Sequence, residues 1–130
     1  MKTEENHAIQ NAVAQMAHIT ELVERLRAAR GADNEDAIAA IGQEINEMPL
    51  SVEVRGGWHA PGDDDGVEEF RLLLSWGGPA CQVVGKLSAH GEPENVEIQY
   101  QDWGTPWTRL TEGVDYSALN EFAACFYFGE

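Results

Sequence analysis

Hydrophobic positions near the start of the chain recur at three- and four-residue steps. Ile9, Val13, Met16, Ile19, Val23 and Leu26 form one stripe, the period of an amphipathic helix from about Glu4 to Arg30. Glu4 and Glu5 suit its positive end, and Arg25, Arg27 and Arg30 its negative end. Gly31 is the expected terminating residue. Asp33 or Asn34 then caps a second helix with Ile38, Ile41 and Ile45 on its inner face. That helix stops near Met48, because Pro49 lacks the amide hydrogen needed to continue it. So short a link predicts an αα-hairpin.

After Pro49 the period changes to two, the period of half-buried strands. Leu50, Val52 and Val54 alternate with Ser51, Glu53 and Arg55. Phe70, Leu72, Leu74 and Trp76 alternate with Glu69, Arg71 and Ser75. Cys81, Val83, Gly85 and Leu87 oppose Gln82 and Lys86, and Val96, Ile98 and Tyr100 oppose Glu97, Gln99 and Gln101. Gly77-Gly78 and then Gly91 with Pro93 supply the turns between these runs. Pro106, between Thr105 and Trp107, argues against a further central strand. Asp115 or Ser117 caps a last helix with Leu119, Phe122, Ala123 and Phe126 inward, although the apolar end CFYF also suits a short strand. The expected fold is one α+β domain over residues 1–130. Its order is ααββββα, with the helical hairpin and the C-terminal helix packed on a four-stranded antiparallel sheet.

Charge changes the picture most. Twenty-three acidic residues stand against 8 basic ones, a net charge of −15. Such a surface repels nucleic acid and anionic membrane and attracts a basic partner, although acidity also serves plain solubility. No Lys or Arg lies between Gly31 and Val54, while Asp33, Glu35, Asp36, Glu44, Glu47 and Glu53 accumulate there. Met1-Lys2 runs into Glu4 and Glu5 rather than an apolar segment, and Cys81 and Cys125 have apolar neighbours. These features predict a cytoplasmic protein with free thiols.

Catalytic chemistry finds little purchase. Asp63, Asp64 and Asp65, with His59 before them and Glu68 and Glu69 behind, form the best metal candidate. An EF-hand loop counted from Asp63 would need Gly where Glu68 stands and Glu where Leu74 stands, so a solvated acidic loop is the better reading. His7, His18, His59 and His90 are scattered, and no nucleophile, phosphate-loop or dinucleotide motif occurs. No enzyme activity, cofactor or metal site is therefore expected. The string from Tyr100 to Trp107 is the most distinctive, and Trp103 and Trp107 either pin the chain to the sheet or anchor an interface.

Small size, strong acidity, an α+β pattern and the lack of catalytic motifs together resemble the mobile-element inhibitors of bacterial immunity. These are the anti-CRISPR and anti-restriction proteins, many of them DNA mimics. The resemblance is one of general character over the whole chain, and no family residue carries over. It implies a phage-type, non-enzymatic inhibitor whose partner is a basic nucleic-acid-binding protein or complex, with no direct contact to nucleic acid or membrane. Carboxylates fixed on an element can replace phosphates in a Lys/Arg channel. Glu35, Asp36, Glu44 and Glu47, together with Asp63, Asp64 and Asp65, are the expected contacts. One rival is an adaptor domain that binds through Trp103 and Trp107; another is a weak metal-binding protein or small enzyme built on His59 and the Asp63 cluster. A single acidic face favours the first, and scattered carboxylates around an aromatic patch favour the adaptor.

Overall fold

A computed structural model describes residues 2–58, 60–62, 67–76, 79–102 and 105–128, with the side chains of 2–6 excepted. The elements run α1 (Lys2–Gly31), α2 (Glu35–Glu47), β1 (Ser51–Arg55), β2 (Glu69–Ser75), β3 (Ala80–Leu87), β4 (Pro93–Gln101), β5 (Thr108–Arg109) and α3 (Tyr116–Ala124). The fold is α+β, and the antiparallel sheet has five strands in the order β1-β2-β3-β4-β5. The expected count of four strands is corrected by β5. Thr105, Pro106 and Trp107 do lie outside the strands, but Thr108 and Arg109 return to pair with Tyr100 and Gln99. Two residues are too few for alternation to reveal.

Helix α1 is long because its apolar stripe continues for its whole described length. Ala8, Ala12, Met16, Ile19, Leu22, Val23, Leu26 and Ala29 are all buried. Val13, placed in the stripe by spacing, is 39 % exposed at its edge. The helix ends on its glycine, but that glycine is not the left-handed residue that closes it. Gly31 is still helical, and Asp33 takes the left-handed conformation at φ 53°. Asn34 N–H then donates to the Ala29 carbonyl and Asp33 N–H to the Arg30 carbonyl, at 3.0 and 3.1 Å, the paired bonds of a Schellman ending. Asn34 also opens α2 by accepting from Ala37 N–H at 3.1 Å. Asp115, not Ser117, caps α3 through Ala118 N–H.

The core lies between the inner face of the sheet and the helices. Phe70, Leu72 and Leu74 of β2, Cys81 and Val83 of β3, and Val96 and Ile98 of β4 meet Met16, Ile19, Leu119 and Phe122 in one cluster. Leu73, on the opposite register, is only half-buried, as a one-sided sheet requires. Trp76 departs from the expected alternation. The β2–β3 register slips between Leu73 and Ser75, the strand ends at Ser75, and Trp76 emerges 70 % exposed. The CFYF end forms neither a strand nor more helix. Phe126 and Phe128 fold back into the core, where Phe128 stacks on Phe70 with ring centroids 4.5 Å apart.

Both α1 and α3 contact the sheet at β4, α1 also at β3, and α2 packs on α1. Strand β1 therefore lies at the edge remote from the main helix contacts. Val52 and Val54 oppose Leu72 and Phe70, and so point to the core side, yet they remain 44 % and 41 % exposed.

Candidate functional site

The four carboxylates expected on the second helix all fall on its solvent side. Ile41 and Ile45 are buried and Ala37 and Ile38 half-buried, while Glu35, Asp36, Glu44 and Glu47 are exposed. No Lys or Arg occurs within α2. Glu35 and Asp36 occupy its first turn, where the helix dipole favours negative charge. Glu47 accepts a hydrogen bond from Gln43 Nε2 at 2.9 Å. Glu44 differs, because Arg25 of α1 donates to both its oxygens at 2.9 and 3.3 Å. That bond and the guanidinium charge hold the Glu44 carboxyl below the usual carboxylate range, and the same bond with the carboxylate charge raises the Arg25 pKa. Three of the four thus make no ion pair among the described residues.

Of the arginines expected to serve the end of α1, Arg30 stands in its last turn, and the other two are structural ties. Arg25 joins α1 to α2, and Arg27 joins it to α3 through Glu121 and Ser117. This consumes positive charge inside the helical layer and leaves the α2 carboxylates facing outward.

The opposite side of the molecule has a different electrostatic character. Cross-strand register arranges the outer sheet face in three rows: Ser51–Leu73–Gln82–Gln99–Arg109, Glu53–Arg71–Val84–Glu97 and Arg55–Glu69–Lys86–Glu94. Charges alternate along the second and third rows, and Arg71 pairs with Glu53 and Arg55 with Glu69. Among the described residues, four of the chain's 8 Lys and Arg and four of its 23 Asp and Glu stand in these rows, which therefore balance to zero. The entire net charge of −15 belongs to the rest of the chain. Individual motifs do not reveal this segregation, although reading outward-facing positions across the four longer strands could have found it.

The neutral face forms an open trough of about 740 Å³ over β1 to β4. Its floor holds Gln82, which is 4 % exposed. Glu97 can only accept, so Gln99 donates Nε2 to it at 2.9 Å and turns its own oxygen to Gln82 Nε2 at 2.7 Å. The relay ends on Gln82 Oε1, which is buried and has no hydrogen-bond partner among the described residues.

The remaining expected site residues are not brought together with α2 by any described contact. His59, Asp63, Asp64, Asp65 and Trp103 lie outside the described residues. Trp107 is half-buried beside β5. Among the described residues the exposed tryptophans are Trp58, fully open and three residues past β1, and Trp76, the residue after β2. Cys81 is a buried free thiol that desolvation pushes up to about 12, and burial also raises Cys125. Neither is poised as a thiolate nucleophile.

Among the described residues, no helix is long and apolar enough to cross a membrane. Comparison of the chain with protein-family models, curated proteins and solved structures finds no match in any of the three.

Proposed function

We propose that this protein is a non-enzymatic acidic inhibitor that docks on a basic surface of a bacterial nucleic-acid-processing complex, of the CRISPR or restriction kind, in place of nucleic acid. The observation that carries the reading is the segregation of charge. Among the described residues one broad face is balanced to zero, and a helix without a single cation presents Glu35, Asp36 and Glu47 free of ion pairs on the other side of the fold. Acidity spread for solubility alone needs no such division. Carboxylates on a helix are already ordered, so they can replace phosphates with little entropy left to lose. Their field steers a basic partner and fades with salt over a Debye length of about 8–10 Å at ordinary ionic strength. The adaptor reading through Trp103 and Trp107 has less support, because Trp107 is half-buried.

Affinity capture from a bacterial lysate, with duplex DNA as competitor, tests the proposal. The expected result is a basic nucleic-acid-binding protein that is retained at low salt and released by DNA. A retained partner indifferent to both DNA and salt would contradict it.

A further inference from the structure

The exposed large hydrophobic residues are unevenly placed. Leu50 is 65 % exposed, Val52 44 %, Val54 41 %, Trp58 102 % and Trp76 70 %, and all five lie on or beside β1. Only Val13, Tyr116 and Tyr127 are comparable elsewhere among the described residues. Strand β1 is also an end of the sheet, so one of its edges is unpaired among the described residues. A flat apolar edge of this kind templates pairing with another strand, and natural sequences blunt it unless it is used.

We propose that β1 pairs antiparallel with β1 of a second copy about a two-fold axis at Glu53, making one continuous sheet through the dimer. The strand is self-complementary in that register. Val52 of one copy stands opposite Val54 of the other on the core side, and the reverse pair follows by symmetry. On the outer side Ser51 stands opposite Arg55 of the second copy. Arg55 then lies diagonal to Glu53 of the second copy, so two Arg–Glu pairs flank the central Glu53–Glu53 contact. The Arg55 side chain is 79 % exposed, so it can turn from its own Glu69 to reach across while Arg71 continues to hold Glu53 within each chain. Trp58 of each copy falls beside the end of the other copy's β1, where Leu50 and Trp76 emerge.

Electrostatics selects a second copy as the occupant. A chain of net charge −15 repels itself over most of its surface, but β1 borders the face where charges balance. Self-association is least opposed there. A basic partner, by contrast, is drawn to α2. This dimer does not rest on the inhibitor reading and stands if that reading fails.

Sedimentation of the full chain over a wide concentration range at moderate salt tests it. The expected result is a dimer that dissociates reversibly on dilution. Val54→Lys sets a lysine against Val52 at both ends of the pairing and should weaken association about a hundredfold or more. Should that variant fail to fold, Glu53→Cys provides a second measure. Directly opposed strand residues lie about 4.5–5.5 Å apart, within disulfide reach, so mild oxidation should link the copies. Glu97→Cys, away from the β1 edge, should not cross-link. A monomer at all concentrations, a ladder of open oligomers, a Val54→Lys dimer as tight as wild type, or equal cross-linking of the two cysteine variants would each overturn the proposal.

Discussion

Arg25 and Glu44 lie on either side of the first helical turn-around, and their two-bond contact fixes α1 and α2 as antiparallel neighbours. The same contact makes Glu44 the odd member of the α2 carboxylates. Its carboxyl is held below the usual range, chiefly by the Arg25 hydrogen bond. A carboxyl depressed in the folded state adds stability above its unfolded pKa, and that stability is lost as pH falls through the folded value. The pair is exposed, so the effect on stability should be small. Arg25→Met should return the Glu44 titration to the ordinary range, read by NMR of the side-chain carboxyl.

Gly85 is where the sheet tolerates least. A Cβ there would meet Phe70 Cε2 at 2.7 Å and Cζ at 2.8 Å, with the Glu94 carbonyl at 3.0 Å. Phe70 cannot readily yield, because Phe128 stacks on it. Gly85→Ala should cost about 1–3 kcal/mol, measured by denaturant unfolding. Removing the Phe128 ring in the same chain should make the added methyl less harmful, which a double-mutant cycle would show.

Asp33 carries a side chain in the left-handed region at φ 53°. Its bonds to the end of α1 come from the backbone, so glycine can make them too. Asp33→Gly should raise stability by up to about 1 kcal/mol. Gly31→Ala should also be tolerated, because that residue is helical and a Cβ there meets nothing within 4 Å. Thermal melts of the two variants check both expectations.

Cys81 is buried, and desolvation raises its thiol to about 12. A thiol raised in the folded state adds stability that is complete below the unfolded pKa and declines as pH rises from there toward the folded value. Unfolding free energy should therefore fall above about pH 8.5, the unperturbed thiol pKa. Cys81→Ala should flatten that slope while lowering stability overall. Native Cys81 should also react slowly with a thiol reagent at neutral pH.

Much of this fold was legible in sequence, wherever an element was long enough to show its period. The stripe from Ile9 to Leu26, the Asn34 cap and the alternation through Phe70, Leu72 and Leu74 all correspond to structure. The misses have physical causes. Strand β5 is two residues long, and the Trp76 register depends on a slip that period-two spacing does not encode. Gly31 is the last helical residue, as expected, but the left-handed position of the Schellman ending falls two residues later on Asp33, which propensity does not mark. The α2 carboxylates could be placed by helical spacing, whereas Arg25 as the partner of Glu44 depends on how two helices pack. The neutrality of the outer sheet face needs cross-strand register, which no single segment carries.

The most direct measurement of the central claim is the salt dependence of partner binding by one multiple variant. Glu35→Gln, Asp36→Asn, Glu44→Gln and Glu47→Gln are combined, and affinity for the captured partner is measured at low and moderate salt. The account predicts much weaker binding and a flatter salt slope, with stability little changed because these carboxylates are exposed. Wild-type affinity with an unchanged salt slope would contradict it.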